Sequence, residues 1–130
     1  MKPTTDPIAD MLNRIKNAYA VNKTTVTVTL SKTNLQILQL LKEHGYIENI
    51  TQDEGKGISI TLTYDKNGKP KIQSIKRISK PGKRIYRKYS ELPSVLNDYG
   101  LAIISSSKGL MTNKVARTKK IGGEVICEIY

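Results

Sequence analysis

A dense run of hydroxyls is the feature of this sequence that points most directly to binding. Residues 105–109 read Ser-Ser-Ser-Lys-Gly and follow an apolar run that ends at Ile104. Hydroxyls this dense are poor core material, and Gly109 ends a regular strand. Serine hydroxyls and backbone N–H groups beside a glycine reach sugars, phosphates and base edges closely. A polar loop after a strand has the same composition, so the distribution of charge must decide between the two interpretations.

The positive charge of the chain lies in its C-terminal half. The 130 residues include 22 Lys and Arg against 11 Asp and Glu, a formal net charge of +11. Residues 1–65 hold seven of each sign, so the whole excess belongs to residues 66–130. Ten basic residues and no acidic one occur between Lys66 and Lys88. A basic excess of this size attracts polyanions, nucleic acid first and anionic membrane second.

Apolar residues interrupt the basic segment at regular spacing. Ile72, Ile75 and Ile78 recur among its charges, and Ile85 and Tyr86 follow. This pattern indicates basic side chains held on a folded surface rather than a disordered tail. Such a surface would attract phosphates, and the serine-rich loop would set their register. Nothing here resembles a recognition helix for a DNA major groove, and an RNA minor groove with its 2′-hydroxyls suits short serine side chains better.

The pattern of apolar residues and turns predicts an α+β protein of two small lobes. Asp6 and Pro7 suit the start of an amphipathic helix over 6–21, and Ser31 opens a second helix that Gly45 ends. Strands over 24–30, 46–51 and 58–64 complete an α-β-α-β-β order, with the helices on a small sheet. We place the domain boundary after Asp65, giving an N-terminal domain of residues 1–65 and a basic C-terminal domain of residues 66–130.

The C-terminal domain is predicted to be mainly β with short helices. Asn67-Gly68 and Pro81-Gly82 are turn signals. Ser90 would cap a short helix near 90–96, and Thr112 a brief helix through Arg117. The predicted strands run over 71–78, 101–105 and 124–130, and the last of them would carry Val125, Cys127 and Ile129 on one face.

The residue types needed for catalysis or for metal binding do not come together in this sequence. His44 is the only histidine and Cys127 the only cysteine, so a Cys/His zinc site is excluded. We interpret His44 as a helix cap or surface residue and Cys127 as a buried, protonated thiol. Asp6 and Asp10 lie one helical turn apart, which capping explains. No glycine pattern matches a phosphate or dinucleotide loop. We therefore predict a non-enzyme with no cofactor and no metal.

The sequence contains no segment that looks like a targeting or membrane-spanning element. The first ten residues lack an apolar core, and the longest apolar stretches are far too short to span a bilayer. A lone cysteine is typical of a reducing compartment. We expect a soluble protein, although residues 66–88 leave open a peripheral protein that binds anionic lipid.

Four ordered blocks of sequence resemble the ribosomal protein S8 family of the small subunit. They are residues 6–18 (DPIADMLNRIKNA), 77–86 (RISKPGKRIY), 100–112 (GLAIISSSKGLMT) and 122–130 (GGEVICEIY). The resemblance implies a two-domain protein that binds the central domain of small-subunit rRNA directly and early in assembly, mainly through its C-terminal domain. It also implies contacts with ribosomal proteins five and twelve. Some bacterial relatives also repress an mRNA that mimics the rRNA site, so a further candidate partner is the protein's own operon mRNA. The location would be the ribosome, in the cytoplasm or in an organelle stroma.

The same resemblance assigns RNA-binding residues by position. Glu124 would accept hydrogen bonds from an RNA base or order Lys108. The sequence departs from the family pattern at Ser106, where Thr is usual, and at 113–115, where Asp-Arg-Glu is usual; Tyr130 stands where Trp is common. The predicted RNA-binding residues are Ser105, Ser106, Ser107, Lys108, Gly109, Lys80, Lys83, Arg84, Tyr86, Gly122, Gly123 and Glu124, together with Asp6, Arg14 and Asn17 in the N-terminal block.

Overall fold

Helices and antiparallel strands are divided between two units of the chain. The computed structural model describes residues 6–53, 55, 57–97 and 99–130. One unit consists of residues 7–73, and the other of residues 74–130 together with Asp6. Each unit combines helix with antiparallel sheet, which confirms the predicted α+β class.

The N-terminal unit has the predicted α-β-α-β-β order. The elements are α1 (Pro7–Ala20), β1 (Thr25–Val28), α2 (Lys32–Glu43), β2 (Ile47–Asp53) and β3 (Gly57–Leu62). The β3 strand lies at the centre of a three-stranded antiparallel sheet of order β1-β3-β2. In this sheet Val28 is paired with Ile58, and Ile50 with Ile60.

The helices of this unit begin and end where local chemistry requires. Pro7 occupies the first position of α1, where its missing N–H costs nothing. At the start of α2 the Asn34 N–H donates to Ser31 Oγ over 3.0 Å. Beyond its end Gly45 has φ +78° and donates its N–H to the Lys42 carbonyl over 3.1 Å. The predicted cap and terminator of α2 are confirmed.

The C-terminal unit comprises β4 (Ile75–Arg77), β5 (Tyr86–Arg87), a 3₁₀ turn (Tyr89–Glu91), β6 (Leu101–Ser106), β7 (Gly109–Thr112), α3 (Asn113–Thr118) and β8 (Gly123–Ile129). It is built around β8, the strand with the most neighbours among the described residues. Strand β8 pairs with β6 along one edge and with β4 and β5 along the other, and β7 extends the sheet beyond β6.

The α3 helix packs on one face of this sheet. Thr112 caps it, since the Val115 N–H donates to Thr112 Oγ1 over 3.4 Å, as the sequence predicts. The buried cluster on this face comprises Leu92, Val95, Ala102, Ile104, Met111, Ala116 and Val125. Burying aliphatic side chains of this kind supplies most of the favourable free energy of folding in a small domain.

A β-bulge in β8 makes the side-chain pattern of this strand differ from the predicted one. Ile103 is paired with Cys127 but the next residue, Ile104, with Val125, so Ile126 is the extra residue. Paired residues share a face of the sheet, and successive residues of a strand alternate. Val125 therefore joins the cluster under α3, opposite to Cys127. The prediction that Val125, Cys127 and Ile129 share one face is wrong at Val125.

The segment between the units is hydrogen bonded first to one sheet and then to the other. The Lys71 N–H donates to the Thr63 carbonyl in the N-terminal unit, whereas Ser74 and Tyr130 exchange two backbone hydrogen bonds in the C-terminal unit. The predicted strand over 71–78 is therefore confined to Ile75–Arg77. For the same reason the units divide after Gln73 rather than after Asp65.

The prediction of a helix over 90–96 is also wrong. The chain forms only a 3₁₀ turn at Tyr89–Glu91, and Ser90 lies inside this turn rather than capping a helix. Proline disfavours the α conformation in the residue before it. Leu92, which precedes Pro93, accordingly adopts an extended backbone with ψ 141°.

Candidate nucleic-acid interface

The serine-rich stretch forms a two-residue hairpin turn between β6 and β7. Ser106 and Gly109 are the last paired residues, and Ser107 and Lys108 make the turn. The Ser106 hydroxyl donates to the Gly109 carbonyl over 2.9 Å and accepts from the Lys108 N–H at 3.1 Å. Gly109 has φ +107°, which suits glycine alone. Ser106 thus holds the turn, while Ser107 and Lys108 are exposed.

A row of four side chains crosses the sheet just before this turn. Glu124 on β8 is paired with Tyr86 on β5 along one edge and with Ser105 on β6 along the other. Ser105 is in turn paired with Leu110 on β7. Paired residues share a face, so all four stand on the face opposite to the α3 cluster. With strands about 4.8 Å apart, the row is roughly 14 Å long.

An ion pair fixes the acidic member of this row. Arg84 Nη1 lies 3.1 Å from Glu124 Oε2, with side chains that are 47% and 14% exposed respectively. The Val125 N–H donates to the Ile85 carbonyl over 2.9 Å, so the backbone beside Arg84 is tied to the backbone beside Glu124. The partner of Glu124 is thus Arg84 rather than Lys108, and the carboxylate presents its remaining acceptor capacity next to Ser105.

Two consecutive glycines allow the strands of the row to approach each other. A Cβ atom on Gly123 would overlap the Ser105 carbonyl oxygen. A Cβ atom on Gly122 would lie 2.5 Å from the Arg87 carbonyl oxygen and 2.9 Å from the Lys88 Cα. Gly122 and Gly123 therefore position the backbone rather than supply side-chain contacts.

The basic residues before the row are displayed by a tight turn. Lys80 and Lys83 exchange two backbone hydrogen bonds of 3.0 and 2.9 Å around Pro81-Gly82, and Gly82 has φ +84°. The buried Ser79 hydroxyl anchors this turn by accepting from the Ile85 N–H over 2.8 Å. Lys80 and Lys83 are exposed, as cations that meet phosphates must be.

The predicted residues of the N-terminal block are distributed differently. Asp6 accepts from Arg77 Nε over 3.0 Å in a largely buried ion pair, and Arg77 Nη1 also donates to the Ile126 carbonyl over 2.8 Å. Arg14 lies on α1, where its Nε is 3.1 Å from Asp10 Oδ2 in an exposed pair. Asn17 is exposed on the same helix. Asp6 therefore belongs to the C-terminal unit, whereas Arg14 and Asn17 belong to the N-terminal unit.

Sequence reasoning assigned no structural role to Asn113 or Arg77. Asn113 is fully buried: its Oδ1 accepts from the Ala102 N–H over 3.1 Å, and its Nδ2 donates to the Pro93 carbonyl over 2.8 Å. The amide supplies the acceptor and the donor together, whereas a carboxylate would only accept. No periodicity marks such a residue, because its partners lie far from it in the sequence.

The residues weighed for catalysis have structural environments. Burial raises the pKa of the Cys127 thiol to about 12, even though the Arg77 charge acts to lower it. The thiol therefore stays protonated, as predicted, and is not a nucleophile. His44 is the exposed C-cap residue of α2, also as predicted.

Across residues 6–53, 55, 57–97 and 99–130, His, Cys, Asp and Glu nowhere gather in a group of three that could hold a metal ion. Within the same residues, every helix is too short or too polar to span a bilayer.

Fold and surface together define a basic α+β protein whose C-terminal unit exposes hydroxyl, aromatic and cationic groups. The family model described as "Ribosomal protein S8" matches residues 6–130. The chain belongs to the ribosomal protein S8 family, whose members are structural, non-enzymatic components of the ribosome.

Curated relatives match over nearly the whole chain. The small ribosomal subunit protein uS8 of Halothermothrix orenii is 47% identical over 129 residues, covering 97% of this chain and 98% of the relative. The protein of the same name from Caldanaerobacter subterraneus is 49% identical with the same coverage. That of Nitrosomonas europaea is 48% identical over 128 residues, covering 96% and 97%.

Proposed function

We propose that this protein is a structural constituent of the small ribosomal subunit that binds the central domain of small-subunit rRNA and helps to assemble it. The observation that carries the proposal is the row of Tyr86, Glu124, Ser105 and Leu110 beside the Ser107-Lys108 turn. Membership of a ribosomal protein family supports it.

The side chains of the row suit the bases and riboses of unpaired RNA better than they suit its phosphates. The Tyr86 ring, with 64% of the residue exposed, offers a face on which a base can stack. Ser105 can donate and accept, whereas the carboxylate of Glu124 only accepts. Glu124 would therefore meet amino groups of a base or a 2′-hydroxyl and would repel a phosphate. The row would read base edges and riboses in an irregular RNA helix.

The cations around the row supply attraction and the hairpin turn supplies register. Residues 74–130 contain twelve Lys and Arg against four Asp and Glu. Lys80, Lys83 and Lys108 are exposed and would neutralise phosphates on either side of the row. The Ser107 hydroxyl and the Gly109 backbone, on a turn held by Ser106, would fix the alignment of the RNA.

Further contacts of the proposed function follow from the family resemblance. Arg14 and Asn17 on α1 would add a second RNA contact from the N-terminal unit. Neighbouring subunit proteins, of which we propose proteins five and twelve, would cover other surfaces. The protein's own operon mRNA would be a second RNA ligand if it mimics the rRNA site. The protein would act in ribosomes of the cytoplasm or of an organelle stroma.

Crosslinking in cells, followed by sequencing of the bound RNA, tests this function. The proposal expects reads concentrated in one helical segment of the central domain of small-subunit rRNA. Crosslinks spread over many transcripts would contradict it. Recovery of the protein with anionic vesicles in proportion to vesicle charge, without preference for that RNA, would instead support the lipid-binding alternative.

A further inference from the structure

A groove lies beside the proposed RNA-reading row on the same unit. Its volume is about 620 Å³, and it is lined by residues 86–91 together with Gly122 and Gly123. Clefts of a few hundred cubic ångströms are large enough to bind small organic ligands. The groove is open to solvent and shares Tyr86 with the row, so an RNA that lies across the row would reach it.

Gly122 and Gly123 bring the backbone segments that line the groove close together. Gly122 packs against the Arg87 carbonyl, the Lys88 Cα and the Tyr89 N–H, so a Cβ atom there would clash with this backbone. Gly123 is paired with Arg87. The glycines therefore hold residues 86–89 in place at the groove.

The walls of the groove combine aromatic rings with positive charge. Tyr89, in the 3₁₀ turn, is 43% exposed and lines the groove together with Tyr86. Lys88 is exposed, and Arg87 is held at the groove by donating from Nη1 to the Tyr86 carbonyl over 2.9 Å. Exposed aromatic rings with adjacent cations form the usual surface for a stacked base and its phosphate. Glu91, the acidic residue of the lining, can accept from base amino groups.

We propose that this groove binds an unpaired nucleotide of the bound RNA, with its base stacked on Tyr89 and its phosphate beside Lys88. The proposal rests on the proposed function, since the nucleotide belongs to the same RNA. It extends the interface beyond the row to Tyr89, a residue that the resemblance does not assign to RNA binding. Charge favours an anionic occupant such as a nucleotide, because Arg87 and Lys88 outnumber Glu91.

The test measures the affinity of the full-length protein for a fragment of the small-subunit rRNA central domain. Tyr89→Ala should weaken binding by about 5- to 150-fold, the range for loss of one base–aromatic stack. Tyr89→Phe keeps the ring and should stay within about twofold of the wild type. Tyr99→Ala is the matched control, because Tyr99 is 89% exposed outside the groove and should have no effect.

A crosslinking arm identifies the occupant directly. The same fragment with 5-iodouridine at its unpaired positions should crosslink to Tyr89 on irradiation, and an abasic substitution at the reactive position should weaken wild-type binding but not that of Tyr89→Ala. Equal affinities for Tyr89→Ala, Tyr99→Ala and the wild type would overturn the proposal.

The outcomes separate this inference from the proposed function. If the wild-type protein does not bind the fragment specifically, the proposed function fails. If it binds and Ser107→Ala weakens binding while Tyr89→Ala does not, only the groove proposal fails. If Tyr89→Ala keeps full RNA affinity yet enters small subunits poorly, the occupant is a protein and the groove proposal is wrong.

Discussion

Ser105 and Glu124 are paired directly between β6 and β8, so a hydroxyl and a carboxylate stand side by side on the basic unit. The carboxylate is held by Arg84 at 3.1 Å. A carboxylate at this position would weaken binding to bare phosphates, so its contribution must come from groups that donate hydrogen bonds. Under the proposed function, the pair would select among RNA structures rather than attract RNA in general.

Replacing Glu124 with Gln tests this selection. Glu124→Gln keeps the shape of the side chain but removes its charge and its ion pair with Arg84. We expect weaker binding to the central-domain rRNA fragment by about 1–3 kcal/mol, since hydrogen bonds to a charged acceptor are lost. Binding to an unrelated duplex should strengthen slightly, because the net charge rises. Filter binding with both RNAs measures the two effects, and a parallel gain for both would show that the carboxylate only repels RNA.

Replacing Lys83 with Ala tests the electrostatic contribution of the tight turn. Lys83→Ala should weaken binding to all RNA sequences and reduce the salt dependence by about one charge, and Lys83→Ala with Arg84→Ala by up to about two. Affinity measured over a series of salt concentrations gives the slope. Lys42→Ala is the control, because Lys42 is exposed on α2 of the N-terminal unit. An unchanged slope for the double variant would remove this turn from the interface.

Replacing Asn113 tests the buried amide that joins β6 to the preceding loop. Asn113→Ala strands the Ala102 N–H and the Pro93 carbonyl, and should lower the free energy of unfolding by about 1–3 kcal/mol. Asn113→Asp keeps an acceptor for the Ala102 N–H but sets a buried carboxylate against the Pro93 carbonyl oxygen, and should lose at least as much. Urea unfolding measures both variants, with Asn49→Ala at an exposed position on β2 as control. A clearly smaller loss for Asn113→Asp would show that the hydrogen bond to the Pro93 carbonyl is unimportant.

Local patterns predicted much of the fold, because caps and apolar spacing act over a few residues. The ends of α2 and the strand that leads into the serine-rich turn follow from such signals. The bulge at Ile126 does not, since it depends on how β8 pairs with a strand distant in the sequence. The same limit applies to the site: hydroxyl density revealed the Ser107 turn, but the neighbours of Glu124 become apparent only when β5 and β6 flank β8.

The buried thiol gives a pH-dependent prediction. Burial raises the pKa of Cys127 to about 12, whereas an unfolded thiol ionises near about 8.5. The native state thus holds its proton longer, so the contribution of this thiol to stability is constant below the unfolded pKa and is lost as pH rises from there toward 12. Urea unfolding between neutral and alkaline pH should show this fall. Cys127→Ala should lack that part of the fall, and identical pH profiles would contradict the assigned pKa.

The role of the serine-rich turn is tested most sharply by a ratio of two affinities at one salt concentration. The ratio compares the central-domain rRNA fragment with an unrelated RNA duplex of equal length, for the wild type, Ser107→Ala and the control Ser59→Ala on β3. We expect the wild type to prefer the fragment by a factor on the order of 10³. Ser107→Ala should reduce this preference by about 5- to 150-fold and leave duplex binding unchanged, because no charge is lost. A preference for the fragment that is the same in Ser107→Ala as in the wild type would contradict a turn that aligns RNA.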